Sequence, residues 1–335
     1  MIDLAYILAA RHSGSTLLAM LLATHRQVCT MGEMATAYLD DAERYRCSCG
    51  AWIRQCRFWR SVQEAMAGRA VIFDIAAAGT DFSSIGGRYV RRLCLPLHRG
   101  PLAERCRDAA LGLSGAWRRT LPAVQRRNAL LAEVLCELTG SQVVVDSSKT
   151  AVRLKYLLRN PMLNVKVIHL VRDGRGAALA TMGPDRCADA ADPVRRQGGV
   201  GGVRAAEWRS MAQAARQWRR SNEEALHLLA TLRPSRWIDL RYEALCADPE
   251  GQRRRLFRFL ALDPAEACPV DQFRQAAGHV IGNGMRLDTA AIIAADHRWR
   301  SVLTSEQLAA FDAVAGRLNV RLGYGEASAP PGGVG

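Results

Sequence analysis

The first two dozen residues constrain this chain more than any other stretch. An apolar run, Leu4-Ala5-Tyr6-Ile7-Leu8-Ala9, passes directly into Arg11-His12-Ser13-Gly14-Ser15-Thr16-Leu17-Leu18 and on into a Leu/Ala segment that reaches Ala23. The run reads as a buried strand and the segment after the polar turn as a helix. A strand feeding a small, hydroxyl-rich turn that opens a helix makes an anion cradle. The first N–H groups of a helix have no intrahelical acceptor and point at whatever sits over its N-terminus. Gly14 allows close backbone approach. Ser13, Ser15 and Thr16 add hydroxyl donors, Arg11 and His12 add polar or charged ones, and the cradle extends to the backbone of Leu17. The ligand this suits is a phosphate-like group. The triphosphate pattern G-x-x-x-x-G-K-[ST] needs a lysine that is missing here. That argues for a nucleotide other than ATP or GTP.

The rest of the chain alternates. After the opening unit comes a loop carrying Gly32-Glu33 and then a cysteine-rich segment. Helical, arginine-rich sequence spans 88–127, followed by an amphipathic helix at about 124–139. Strands are predicted at 142–146, 165–171 and 237–240. Helices are predicted to begin near Ala151 and Gly174 and to fill about 204–231. Strands alternating with helices require crossover connections and hence an α/β fold with a mainly parallel central sheet. Ligands in such sheets bind beyond the strand C-termini, so the loops at 10–16, 146–149 and 172–175 can converge. Residues 184–202, polar and rich in glycine, read equally as a lid or as disorder. The Pro/Gly-rich residues 326–335 read as a disordered tail. With no internal repeat and no linker, 1–325 reads as one domain with a basic helical insert at about 60–140.

Charge narrows the partners. The formal net charge of +14 fits nucleic acid, an anionic membrane surface or an acidic ligand. Nearly all of it is arginine, because Lys149, Lys155 and Lys166 are the only lysines. The N-terminal apolar run is short and lacks a basic leader, and nothing approaches the ~20 apolar residues of a membrane span. A cytoplasmic protein with reduced thiols is expected. Three of the ten cysteines cluster as Cys47-Ser48-Cys49-Gly50 and Cys56-Arg57-Phe58-Trp59. This spacing suits structural thiols, a disulfide, a redox pair or part of a zinc site. A closed zinc site wants four ligands, and only folding could bring the fourth from Cys29, Cys94 or a histidine.

The opening loop resembles the 5′-phosphosulfate loop of sulfotransferases that use 3′-phosphoadenosine 5′-phosphosulfate (PAPS). Val143-Val144-Val145-Asp146-Ser147-Ser148-Lys149 and Val167-Ile168-His169-Leu170-Val171-Arg172-Asp173-Gly174-Arg175 resemble two further segments of a bacterial branch of that superfamily. Arg241-Tyr242-Glu243-Ala244-Leu245 with Asp248-Pro249 is similar to its Y-E-x-L…D-P segment. Gly282-Asn283-Gly284-Met285-Arg286 is similar to its G-N-P-M-R loop, with Gly284 where proline is usual. The order and spacing extend over roughly residues 3–325.

The resemblance implies a three-layer, P-loop-like fold and sulfuryl transfer from PAPS to a hydroxyl or amine, with no metal. By analogy with phosphoryl transfer, such an enzyme holds the reactants in line, stabilises the leaving phosphate and accepts a proton. The 10–17 loop would hold the 5′-phosphate, and His12 would donate to the bridging oxygen. Lys149 would follow charge onto the leaving phosphate, and Glu33 would be the base. Arg172 would grip the 3′-phosphate bidentately, with Arg286 as compensating charge, because Ala180 stands at the usual serine position. Tyr242 would face the adenine. Arg172-Asp173 and Asp146 read as structural pairs. Asp146-Ser147-Ser148 also reads as an N-cap for the helix that follows. The implied acceptor is a small molecule, glycan or lipid head group, anionic if the basic insert contacts it. A P-loop kinase and a basic nucleic-acid-binding protein are the rival classes. The first lacks its lysine, and the second lacks a zinc-finger or RNA-recognition motif.

Overall fold

The computed structural model describes residues 1–35, 39, 43, 45–82, 85, 87–94, 100–183, 210–288 and 292–325. Five strands, β1 (Ile2–Ala9), β2 (Val28–Gly32), β3 (Val143–Lys149), β4 (Leu163–Val171) and β5 (Trp237–Arg241), form one sheet in the order β2-β3-β1-β4-β5. All neighbouring pairs are parallel. The central strand shows why its sequence is apolar throughout. Leu4, Tyr6 and Leu8 enter one core, while Ala5, Ile7 and Ala9 enter another on the opposite face. A strand covered on both sides has no polar face to display.

Among the described residues, the α-helices up to residue 183 are α1 (Ser15–Leu22), α2 (Arg57–Ala67), α3 (Gly87–Leu93), α4 (Pro101–Leu113), α5 (Gly115–Thr139), α6 (Ala151–Leu158) and α7 (Gly174–Met182). α1 and the helix Pro249–Leu260 cover one sheet face; α5, α6 and the helix Met211–Leu229 cover the other. The outcome is the α/β/α three-layer arrangement expected. α5 packs directly on β1, β2 and β3, so it is a layer of the sheet sandwich.

The elements depart from the sequence reading at their ends. β2 lies where a loop is predicted. It has only five residues, all buried, so it shows no alternation to detect. α5 begins at Gly115, capped by the Ser114 hydroxyl, which accepts from the Trp117 N–H at 3.3 Å, and it runs through Pro122. β3 continues to Lys149, and Thr150 is the residue before α6, so Asp146-Ser147-Ser148 caps nothing.

The Asp146 carboxylate ties strand ends together instead. One oxygen accepts from the Ser148 N–H at 2.9 Å and the Met34 N–H at 3.2 Å; the other accepts from Arg153 Nε at 2.9 Å. Arg153 also donates to the Thr80 carbonyl and to Asn128 Oδ1, both at 2.7 Å. A buried ion pair whose remaining polar atoms are satisfied is costly to break on one side only. This one fixes the residues flanking Glu33 and Lys149. Residues 184–202, read as a lid or as disorder, and the tail at 326–335 lie outside the described residues.

Candidate active site

Parallel sheets bind ligands where the connections leaving two adjacent strands diverge. Here β1 leads through α1 toward β2, while β4 leads through α7 toward β5, away from it. Over that crevice lies a cavity of about 290 Å³. Each strand contributes to its wall at or just beyond its C-terminal end. Glu33 follows β2, Lys149 ends β3, Arg11 and His12 follow β1, Arg172 follows β4, and Tyr242 follows β5.

The middle of the wall is the turn into α1. Gly14 sits at φ +90° and no side chain caps the helix, so its first N–H groups remain open to an acceptor. Gly14, Ser15, Thr16 and Leu17 line the cavity. Ser13 is buried beneath them, and its hydroxyl has no hydrogen-bond partner among the described residues; the same holds for Ser147. A Cβ built on Gly14 would lie 2.5 Å from Tyr242 Cδ2, so the tyrosine ring rests on the loop itself. His12 and Lys149 adopt left-handed backbone, at φ 59° and 72°, although neither is glycine. Such conformations cost free energy and collect at functional sites.

At the β2–β3 end, Lys149 Nζ donates to Glu33 Oε1. Glu33 is held there from two sides. Gly32, at φ +86°, lies so close to the 281 loop that a Cβ would fall 1.9 Å from the Ile281 carbonyl oxygen. Gly282, at φ +131°, stands between Glu33 and Thr16 and leaves the space between them open.

At the β4–β5 end, Arg172 donates to the His12 carbonyl at 2.8 Å and to Asp296 Oδ2 at 3.0 Å, with its guanidinium 4.7 Å from the Tyr242 ring centre. Burial pushes the Tyr242 phenol up to about 12, against the nearby Arg172 charge, so it remains a neutral donor. Burial alone would raise the Asp296 carboxyl, but hydrogen bonds from Arg298 and the charge of Arg172 outweigh it and hold the group well below the usual carboxylate range. The cavity wall is thus polarised along the sheet, with a carboxylate–ammonium pair at one end, an N–H cradle in the middle and a guanidinium against an aromatic ring at the other.

The sequence model for the sulfotransferase family matches residues 5–266. The chain belongs to the sulfotransferase family. No curated protein matches this sulfotransferase. Among solved structures it is similar to the sulfotransferase domain from the curacin biosynthetic pathway, with 18% identity over 95% of this chain and 98% of that one and a TM-score of 0.46. The sulfotransferase domain of the Synechococcus PCC 7002 olefin synthase is 16% identical over 93% of this chain and 94% of its own, with a TM-score of 0.45. Retinol dehydratase, solved with androsterone and the inactive cofactor PAP, is 15% identical over 98% of this chain and 82% of its own, with a TM-score of 0.40.

Two expectations for this sulfotransferase's side chains are corrected by its geometry. Arg286 turns away from the cavity: Nη1 donates to the Gly282 carbonyl at 2.7 Å, Nε and Nη2 donate to the Arg46 carbonyl, and the guanidinium lies over Tyr45. It braces the 282–286 loop and does not line the cavity. Arg172 and Asp173 do not pair. Asp173 caps α7 and binds Arg175 at 2.7 Å, which leaves Arg172 to Asp296. Thr181 donates to the Ala177 carbonyl, and Ala180 faces the cavity without a hydroxyl. Asn283, Met285 and Asp296 line the cavity but were not singled out from the sequence. The first two sit in a loop read only for its arginine. Asp296 belongs to an irregular segment with no periodic signal.

No described helix is long and apolar enough to cross a membrane.

Proposed function

We propose that this enzyme transfers a sulfuryl group from PAPS to a hydroxyl or amine of a small molecule, glycan or lipid head group. The observation that carries the reading is the order of groups along the sheet edge. A nucleotide bearing a phosphate at each end of its ribose meets a guanidinium and an aromatic face at β4–β5 and an uncapped helix N-terminus at β1. A proton acceptor waits at β2–β3, beyond the phosphate cradle. The open N–H groups of α1, with Ser15 and Thr16 lining the cavity beside them, fit a phosphate oxygen.

The donor supplies an activated sulfuryl group and a stable phosphate leaving group. In this reading the 11–17 loop orients the 5′-phosphate, with His12 donating toward the bridging oxygen. Lys149 stabilises the negative charge that gathers on the departing oxygen. That interaction strengthens in the transition state and therefore raises the rate. Glu33 takes the acceptor's proton, its carboxylate kept in place by Lys149 and by the 281–282 loop. Arg172 grips the 3′-phosphate, and Tyr242 packs against the base. We propose that residues 1–325 work as one catalytic unit. The formal net charge of +14 supports an anionic acceptor.

One titration series tests the reading against its rivals. Adenosine 3′,5′-bisphosphate (3′,5′-ADP) is expected to bind and ATP to bind far more weakly. Duplex DNA is expected to show only the steep salt dependence of a non-specific polyanion. ATP binding on a par with 3′,5′-ADP would return the kinase reading; tight, sequence-dependent DNA binding would return the nucleic-acid reading.

The Asp296 carboxylate and a 3′-phosphate compete for one guanidinium. Asp296→Asn is therefore expected to tighten 3′,5′-ADP binding by about three- to tenfold, part of the worth of one charged hydrogen bond. Binding of 5′-AMP should not change, and isothermal titration of the two nucleotides checks both. Weaker 3′,5′-ADP binding would mean instead that Asp296 orients Arg172 for its ligand.

A further inference from the structure

The cysteine cluster of the sequence acquires its missing member in the fold. Residues 45–53 form a tight hairpin: the Cys47 N–H donates to the Ala51 carbonyl at 2.9 Å, the Ile53 N–H to the Tyr45 carbonyl at 2.8 Å, and Arg46 bridges Trp52. Its turn, Cys47-Ser48-Cys49-Gly50, closes with the Gly50 N–H on the Cys47 carbonyl at 2.9 Å, and Gly50 takes φ +86°. Cys56 stands just ahead of α2 and turns its sulfur toward this hairpin. The fourth group comes from the far end of the chain. Ser48 Oγ donates to the Gly278 carbonyl at 2.6 Å and accepts from the Val280 N–H at 2.8 Å, which lays loop 278–282 against the turn. His279 is then stacked on Phe58, ring centres 4.5 Å apart and planes 5° from parallel, so the edge bearing Nδ1 faces the sulfurs.

We infer that Cys47, Cys49, Cys56 and His279 Nδ1 bind one zinc ion as a closed structural site. The four candidate atoms lie within 4.8 Å of one another. Tetrahedral zinc, at about 2.3 Å from sulfur and about 2.0–2.1 Å from nitrogen, requires S···S near ~3.8 Å and S···N near ~3.5 Å. Cys49 Sγ and Cys56 Sγ are 3.8 Å apart, and Nδ1 is 3.3 Å from Cys56 Sγ and 3.5 Å from Cys47 Sγ. Three sulfurs and one nitrogen in one cluster, with these three separations near the tetrahedral values, match zinc better than magnesium or calcium, which seek oxygen ligands. Binding releases the three thiol protons to solvent and engages the neutral imidazole lone pair, with no change of oxidation state. All four positions are taken by protein, so the ion performs no chemistry. It clamps the hairpin to loop 278–282, whose Ile281 N–H bonds the Met31 carbonyl at 2.8 Å and whose continuation, Asn283 and Met285, walls the cavity.

The test uses the full chain purified under reducing conditions without a metal-affinity step. Elemental analysis is expected to find about one zinc per chain. After chelation, cobalt(II) should restore the intense visible bands of a tetrahedral thiolate site, and added zinc should raise the melting temperature. Cys49→Ser, at an exposed ligand that leaves the core untouched, should bring zinc and the cobalt bands to background while the far-ultraviolet circular dichroism remains native. Metal-free wild type that stays folded and gives no cobalt bands overturns the assignment, as does a Cys49–Cys56 disulfide found by mass spectrometry in that preparation. The wild-type measurements decide the matter even if a ligand variant fails to fold.

Discussion

Glu33→Gln is expected to lower turnover by about 10²–10⁴-fold, the usual worth of a positioned proton acceptor, with 3′,5′-ADP affinity nearly unchanged. The two effects separate because the phosphate cradle lies on β1 while Glu33 follows β2, on the far side of β3. The amide keeps an oxygen for Lys149 Nζ to bind, so the loop should hold its shape. The contact between Lys149 and Glu33 adds a sharper expectation. If ammonium and carboxylate serve the same transition state, Lys149→Met should also slow the reaction, and the double variant should be no slower than the slower single one. Release of 3′,5′-ADP, followed with an acceptor that sustains turnover, measures all three. Near-normal turnover in Glu33→Gln would remove it from the mechanism. Loss of nucleotide binding would make it a structural partner of Lys149.

The second large effect belongs to Arg172. Arg172→Ala is expected to weaken 3′,5′-ADP by about 1.5–3 kcal/mol, the range for hydrogen bonds to a charged group, and to leave 5′-AMP much less affected. The geometry calls for a control, because this arginine also donates to the His12 carbonyl and lies over Tyr242. Arg172→Lys keeps the charge but loses the planar two-pronged grip. It should fall between wild type and alanine for 3′,5′-ADP. Equal losses for both nucleotides in both variants would mean that Arg172 supports the loop and reads no phosphate.

What could be read from the sequence was whatever local chemistry dictates. The strand–turn–helix at 2–22 declares itself because a doubly covered strand must be apolar and an uncapped helix start must be small and polar. Arg172 and Lys149 were legible because one follows and the other ends a strand of clear pattern. β2 was not, since five buried residues carry no period. Asp296 and His279 were not singled out for a different reason. Each gains its role only through a partner far away in the chain, Arg172 in one case and three sulfurs in the other. The bracing position of Arg286 was hidden for the same reason, because nothing in the sequence shows that its guanidinium donates to the carbonyls of Arg46 and Gly282.

The close approach of Gly32 to Ile281 bears on the order in which this molecule is built. β1, β3 and β4, with most of the core, are complete once residue 171 has been synthesised, and β5 follows by 241. The carboxylate side of the cleft has no outer wall until the 278–286 segment has emerged and folded back onto the end of β2, closing a loop of most of the chain. Loop-closure entropy grows only slowly with length, so the distance is a matter of timing more than of stability. Both ends of the cleft therefore wait for late segments: 278–286 closes the carboxylate end, and the residues up to Asp296, which pairs with Arg172, close the guanidinium end after it.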